Sequence, residues 1–234
     1  MWGDGVRWTW LAALMVSAVS VPAQQPRAPD GVAVSGRITI LDKPGKVATD
    51  VGNTVIFLVQ TDGGKGAVEA TDVQIAMQSK QFVPRVRVVT TGSRVNFPNQ
   101  DPFRHNVFSN TPGATFDLGL YPRGTARAAA FRRAGVYPIF CNIHSRMSAF
   151  VVAVPTSHYT QAQADGSWIL EGVPPGDYVL HVWHERAAER TRAVVVAGVA
   201  VQGLDEELDA RGWRPVSHTN KFGREYPPTE RDRY

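Results

Sequence analysis

The feature that most constrains this chain is a short loop, residues 140–147, in which a cysteine, a histidine and a methionine follow one another at the spacing C-x2-H-x2-M. Apolar runs at 136–140 and 150–154 lie on either side of it, so the loop is expected to join two buried strands. Far upstream, His105 follows an extended run and a polar turn. One thiolate, two imidazoles and one thioether are the donor set of blue-copper electron-transfer sites.

These four residues are the candidate metal ligands: His105, Cys141, His144 and Met147. Taken singly, each has a plainer interpretation, because a buried cysteine or methionine is usually a core residue and a lone histidine is usually on the surface. Four such residues at fitting spacing, flanked by strands, favour a copper site. Zinc is the nearest competitor, but a methionine ligand is foreign to its usual nitrogen, sulfur and oxygen set.

The segment 95–109 and the C-x2-H-x2-M loop resemble the cupredoxins, the plastocyanin and amicyanin group of small blue copper proteins. In that family the first ligand lies in an N-x-D-x(n)-H-N-V segment and the other three lie in a C-x2-H-x(n)-M loop. The resemblance implies one type 1 copper ion, with Asn106 bracing the site behind His105. Ile143 stands where small cupredoxins often have proline, which changes the surface beside His144 while still shielding the metal.

The first 23 residues are predicted to be a signal peptide. Arg7 provides a weak basic start, an apolar run too short to span a membrane follows, and small residues precede a cleavage point after Ala23, which leaves 211 residues. Asp4 offsets Arg7, so an uncleaved anchor is the alternative. We expect a bacterial periplasmic or secreted protein with no transmembrane anchor after cleavage. The single cysteine excludes an intrachain disulfide framework, and copper ligation would occupy that thiol.

The fold class predicted is all-β: a cupredoxin Greek-key β-sandwich plus a second, transthyretin-like β-sandwich. Short valine-rich runs separated by glycine and proline support the class. Residues 165–180 resemble the signature of carboxypeptidase-regulatory-like sandwiches, in which a Pro-Pro-Gly turn joins two strands. The combination resembles bacterial secreted proteins described as methylamine utilisation proteins. The predicted divisions are a signal peptide at 1–23, first sandwich strands at 31–62, a cupredoxin domain at 67–154, the remaining sandwich at 156–203 and a C-terminal arm at 204–234.

Two features outside the loop have ordinary interpretations. His181 and His184 form H-x-x-H on a predicted strand, where the two rings point to opposite faces and cannot share an ion. The tail from Leu204 has little periodicity, so it is predicted to be an arm laid over the sandwiches or else disordered. His158 and His218 receive no role.

Charge is concentrated around the candidate site. Residues 80–146 carry ten basic side chains and two acidic ones, whereas the whole chain has a net charge of +4. This excess favours steering toward an acidic redox protein such as a cytochrome or a dehydrogenase. Arg104, Ile143 and Arg146 are predicted to form the partner surface. Nucleic acid is not expected as a partner because no recognition motif is present.

Three functions fit these patterns. The first is one-electron transfer, in which the cupredoxin resemblance makes the edge of His144 the solvent-facing route. The second is copper binding for storage or delivery, and the third is glycan or protein binding by the second sandwich with a structural metal site. No enzymatic activity is predicted, since paired H-x-H motifs of a copper oxidase are absent and one cysteine cannot build a binuclear copper centre.

Overall fold

The computed structural model describes residues 31–44, 46, 48–63, 68–215 and 218–226. The predicted signal peptide and residues 64–66 of the glycine-rich segment 61–66 lie outside the described residues. Where the chain is described, it contains strands, one 3-10 turn at Val51–Asn53 and no α-helix, which confirms the all-β prediction.

The strands, in chain order, are β1 Val32–Leu41, β2 Val55–Gln60, β3 Asp72–Gln74, β4 Ala76–Gln78, β5 Gln81–Val83, β6 Val86–Thr90, β7 Arg94–Pro98, β8 His105–Ser109, β9 Phe116–Tyr121, β10 Ala126–Ala130, β11 Gly135–Phe140, β12 Ser148–Val154, β13 Tyr159–Gln161, β14 Ser167–Val173, β15 Gly176–Trp183, β16 Arg190–Val196 and β17 Glu206–Asp209.

Strands β3–β12 form what we call the central sheets. A five-stranded sheet in the order β6-β12-β11-β8-β9 faces a three-stranded sheet in the order β10-β7-β3, and β4-β5 is a separate hairpin. Their shared core includes Phe97 from the smaller sheet and Val107, Ile139 and Val151 from the larger one, all fully buried. Apolar residues at alternate positions of each strand therefore meet between the two sheets.

The flanking sheets are built from both ends of the chain. One has the order β14-β1-β17 and the other the order β13-β2-β15-β16. β1 pairs antiparallel with β14 and parallel with β17, while β2 pairs with β13 and β15. Trp168, Leu180 and Leu208 are buried in the core between them. Tail residues 206–209, for which the sequence indicated no strand, thus form an edge strand, because β1 offers them an unpaired partner.

β12 is buried on both faces and joins the two parts of the fold. Ala149, Val151 and Ala153 enter the central core. Val152 and Val154, which point the other way, pack with Val86, Val88, Val55 and Phe57 in a junction cluster that includes residues of β2. The alternation of β12 therefore places one face in each core, and the loop that precedes β12 is held on a rigid base.

Pro138 lies in β11, and a proline within a strand is expected at an edge or at a locally unpaired position. β11 is an inner strand of its sheet, but its ladder to β8 consists of the single pair Phe140↔Phe108. Proline has no main-chain N–H to donate. Because the ladder between β11 and β8 is so short, no hydrogen bond to β8 is required at position 138. Tyr137, Ile139 and Cys141 share the buried face of this strand and its extension.

Candidate metal centre

The four predicted ligands are placed by strand ends. His105 is the first residue of β8, Cys141 follows the last residue of β11, and Met147 immediately precedes β12. The loop that holds Cys141, His144 and Met147 is closed by two main-chain hydrogen bonds, from the amide of Cys141 to the carbonyl of Met147 at 3.2 Å and from the amide of Met147 to the carbonyl of His144 at 3.1 Å. The ends of three neighbouring strands, β12, β11 and β8, thus bring distant residues to one place.

Three donor atoms converge there. The Nδ1 atoms of His105 and His144 are 3.1 Å apart, and the Sγ of Cys141 lies 3.8 Å from the first and 3.6 Å from the second. All three atoms lie within 4.8 Å of one another. Bonds from a metal of roughly 2.0 Å to nitrogen and 2.3 Å to sulfur place such donors about 3.3–3.8 Å apart. Both nitrogen–sulfur distances fall in this range and the 3.1 Å between the two nitrogens lies just below it, so the donor types and their spacing suit one ion of the borderline-soft class.

The four candidate ligands differ in how accessible they are to solvent. His105, Cys141 and Met147 are fully buried, whereas His144 is half-buried at the edge of the cluster. Burial lowers the pKa of His105, against the opposing effect of its neighbour Asp101. A neutral ring is the form that can offer a lone pair to a metal.

Asp101 is a part of this centre that the ligand pattern alone did not reveal. Its Oδ2 lies 2.7 Å from Nε2 of His105, on the side of the ring opposite the donor cluster. The same carboxylate accepts main-chain N–H bonds from Ser79 at 2.7 Å and Lys80 at 2.9 Å. Burial opposes ionisation of Asp101, but the Lys80 amide, the His105 ring and the Ser79 amide outweigh it and hold the pKa of this carboxyl below its usual value. Asp101 therefore stabilises the tautomer of His105 that carries its proton on Nε2 and leaves Nδ1 free as a donor.

Asn106 connects the two segments that carry the donors. Its Oδ1 accepts from the amide of Asn142 at 3.3 Å, and its Nδ2 donates to Oδ1 of Asp117 at 2.7 Å. The residue after His105 is thus bonded to the residue after Cys141, which fits the bracing position expected for Asn106.

The surface over the cluster combines one aromatic ring with basic side chains. Phe103, which sequence reasoning did not single out, lies edge-on to His105 with ring centroids 5.1 Å apart and lies 5.8 Å from the ring of His144. Arg104 and Arg146 are exposed, whereas Ile143 is half-buried and packs against the central core. Phe103 adjoins both histidine rings and is 38% exposed.

The other histidines have separate partners. His181 stacks on Phe57 with centroids 4.6 Å apart and contacts Glu189, whereas His184 is buried and its Nε2 faces the main-chain oxygen of Asp50 at 3.2 Å. His218, to which the sequence assigned no role, stacks on Phe140 beside Cys141. The sequence did not indicate this contact, because 78 positions separate His218 from Phe140.

No protein-family model matches the sequence, and no curated protein matches it. Among solved structures, a Cu-containing nitrite reductase from Thermus scotoductus aligns at 24% identity with a TM-score of 0.34, over 41% of this chain and 25% of the reductase. A purple cupredoxin from Nitrosopumilus maritimus aligns at 21% identity and TM-score 0.32, over 36% of this chain and 100% of its own. Amicyanin from Paracoccus versutus aligns at 22% identity and TM-score 0.33, over 42% and 97%. Each of these alignments covers less than half of this chain.

Proposed function

We propose that this chain is an exported type 1 copper protein that carries single electrons between redox partners. The observation that carries the proposal is the convergence of two ring nitrogens and one cysteine sulfur within 4.8 Å at the ends of buried strands. His105, Cys141 and His144 are proposed as the close ligands of one copper ion. Met147, buried at the end of the same loop, is proposed as the weak fourth ligand that tunes the potential.

The roles of the surrounding residues follow from their contacts. Copper, when bound, supplies a one-electron couple at this position. Asp101 orients His105, and the buried central core behind Cys141 and Met147 excludes water from the thiolate. His144 is the half-buried member, so its ring edge is the proposed route by which electrons enter and leave. The chain is proposed to pass electrons on rather than to catalyse a reaction of its own.

The proposed partner is an acidic redox protein, such as a cytochrome or a dehydrogenase. Ten basic side chains against two acidic ones in residues 80–146 give this part of the chain a field that attracts negative surfaces. Arg104 is exposed immediately before His105, and Arg146 is exposed between His144 and Met147. With Ile143, they remain the proposed docking residues, to which we add Phe103 because it contacts both histidine rings.

The same proposal includes export and a two-part organisation. No helix in the described part of the chain is long and apolar enough to cross a membrane. We propose cleavage of residues 1–23, a cupredoxin unit at 67–154, and a second sandwich assembled from 31–62 and 156–203. The pairing of β1 with β14 and of β2 with β15 supports the second sandwich, because it joins segments on both sides of the proposed insertion.

A copper titration of residues 24–234 tests the function. We expect one copper per chain, an intense visible thiolate-to-copper band, narrow hyperfine splitting in electron paramagnetic resonance, and bleaching by a reductant. Cys141→Ser replaces the sulfur donor with a hydroxyl of similar size, so the band should disappear. Ser157→Ala, away from the cluster, is the control and should retain it.

The possible results separate the candidate functions. A reversible blue spectrum lost in Cys141→Ser supports electron transfer. Tight Cu(I) binding without such a Cu(II) spectrum would replace it with copper storage or delivery. Absence of stoichiometric copper binding would overturn both, and would leave ligand binding by the second sandwich as the function to test.

A further inference from the structure

Within the C-terminal arm predicted at 204–234, residues 218–226 lie against the metal loop, and it is these residues that we call the arm from here on. The side chain of Tyr226 is buried, and its hydroxyl donates to the main-chain carbonyl of Cys141 at 2.7 Å. His218 stacks on Phe140, the residue before Cys141, with centroids 4.0 Å apart and planes 21° from parallel. The ring of Tyr226 meets the ring of His218 at 5.2 Å in an edge contact. The arm therefore holds the main chain of a proposed ligand and the side chain beside it.

A second set of contacts joins the arm to both ligand-bearing segments. The amide of Lys221 donates to Oδ1 of Asn142 at 3.0 Å, and its ammonium group pairs with Asp117 at 2.6 Å. Asp117 in turn accepts from Asn106. The arm is thus bonded directly to the residue after Cys141 and, through Asp117, to the residue after His105.

We propose that Tyr226 is a positioning residue for Cys141 and that the arm keeps the donor loop closed; the copper-related part of this inference rests on the proposed function. Both main-chain polar groups of Cys141 are engaged, the amide by Met147 and the carbonyl by Tyr226. Loops that connect strands are ordinarily the mobile part of a sheet. A metal site needs its donors held within a fraction of an ångström, and a buried hydrogen bond from outside the loop supplies that restraint.

A restraint by the Tyr226 hydroxyl and simple covering of apolar surface by the arm have different consequences for the loop. If the arm only covered apolar surface, removal of one hydroxyl with retention of the ring would leave the loop unchanged. If the hydroxyl restrains Cys141, its loss will increase the fraction of time that the loop is open. Cys141 is the single cysteine of the chain and is fully buried, so the reactivity of its thiol measures that opening without any metal present.

Tyr226→Phe in metal-free protein, residues 24–234, provides the test with dithiobis-nitrobenzoate as the thiol reagent. Loss of one buried hydrogen bond is expected to speed the reaction of Cys141 roughly fivefold to tenfold. Removal of the whole arm by truncation after residue 215 should speed it further. Tyr178→Phe is the matched control, since that hydroxyl also donates to a main-chain carbonyl, of Pro174 at 2.9 Å, but in the flanking sheets. It should leave the rate unchanged.

Copper release gives a second measurement. Transfer of copper from Tyr226→Phe to a chelator should be faster than from the wild type by a similar factor, with a shifted visible band. Thiol reactivity equal to that of the wild type would overturn the proposal, and so would equal acceleration in Tyr178→Phe. If the wild type takes up no copper, the proposed function fails, while the thiol reaction still decides whether Tyr226 restrains the loop.

Discussion

At the scale of single residues, His105 is held from two sides by different chemistry. One ring nitrogen faces the carboxylate of Asp101, and the other faces the donors of Cys141 and His144. A carboxylate behind a ligating histidine fixes its tautomer and makes it a better donor. We therefore expect Asp101, four places before the proposed ligand His105, to control how strongly that ring binds a metal.

Asp101→Asn should weaken copper binding by roughly 10–100-fold, because an amide keeps the shape of the side chain but removes its charge from Nε2 of His105. Competition titration against a chelator measures the change. Asp165→Asn is the matched control: Asp165 also accepts a main-chain N–H, from Ser167 at 3.0 Å, but lies exposed in the flanking sheets. Equal affinity of Asp101→Asn and wild type would contradict the role given to Asp101.

The sequence identified the candidate ligands but not the residues that hold them in place. Cys141, His144 and Met147 were recognisable because the loop keeps them within seven positions and strands flank it. The contacts of Tyr226 and His218 depend on a fold that brings residues 218–226 back to the loop, and no local sequence pattern encodes that return. Asp101 is the acidic residue of the N-x-D-x(n)-H-N-V segment, but its contact with His105 became visible only from the geometry of the turn between them.

At the scale of elements, Arg186 fixes the connection between β1 and β2 to the end of β15. Its guanidinium makes a bidentate pair with Asp50, at 2.6 and 2.7 Å, and a third contact with Asp42 at 2.7 Å. The Lys43 amide and then Arg186 lower the pKa of Asp42 to about 2. Burial opposes ionisation of Asp50, but the bond from Arg186 outweighs it and lowers the pKa of Asp50 too.

These lowered pKa values give stability that is present above the ordinary carboxyl pKa and is lost as the pH falls toward about 2. Arg186→Met removes the cation and keeps much of the side chain, so it should lower the melting temperature by about 5 °C at pH 7. The difference from the wild type should shrink as the pH falls from 4 toward 2. Thermal melts at pH 7, 4 and 2.5 measure it.

The control for this prediction is Arg211→Met. Arg211 also makes a close pair with Asp209, at 2.7 Å, and the pKa of Asp209 is likewise lowered to about 2, by the side-chain and main-chain N–H bonds from Arg211. Both side chains are more than half exposed, so solvent screens the pair and the melting temperature should change by less than about 1 °C. Equal effects of the two substitutions would show that Arg186 has no special structural role.

Individual strands were largely readable from sequence, and their pairing was not. The apolar runs at 136–140 and 150–154 became β11 and β12, the two strands expected on either side of the loop. β17 was missed because its four residues, Glu206–Asp209, are mostly acidic and gain strand structure from β1 rather than from their own pattern.

At the scale of the whole molecule, the junction cluster makes the central and flanking sheets depend on each other. Phe57 is nearly buried there, against the outer face of β6 and β12, and it stacks on His181. Such a shared apolar layer predicts that the two parts unfold in one transition.

Phe57→Ala should lower the free energy of unfolding by about 3 kcal/mol through loss of buried area and creation of a cavity. The visible band of the proposed copper site follows the central sheets. Tryptophan fluorescence follows the flanking part, because the tryptophans of residues 24–234 all lie outside the central sheets, at Trp168, Trp183 and Trp213. Both melts should therefore shift together. Val195→Ala, at a 67% exposed position, should change stability by less than about 0.5 kcal/mol. Separate transitions for the two signals would contradict the coupling.

The path of the chain has a consequence for the order of events during synthesis. β1, among the first strands made, finds its partner β17 only when residues 206–209 have emerged, and Cys141 meets Tyr226 later still. Contacts of such long sequence separation form slowly. A chain that is still being made therefore has its donor residues but not the restraint on them. We therefore expect the restraint on the proposed metal loop to form only after residue 226 has been made, so that the loop is held ready for a metal late in synthesis.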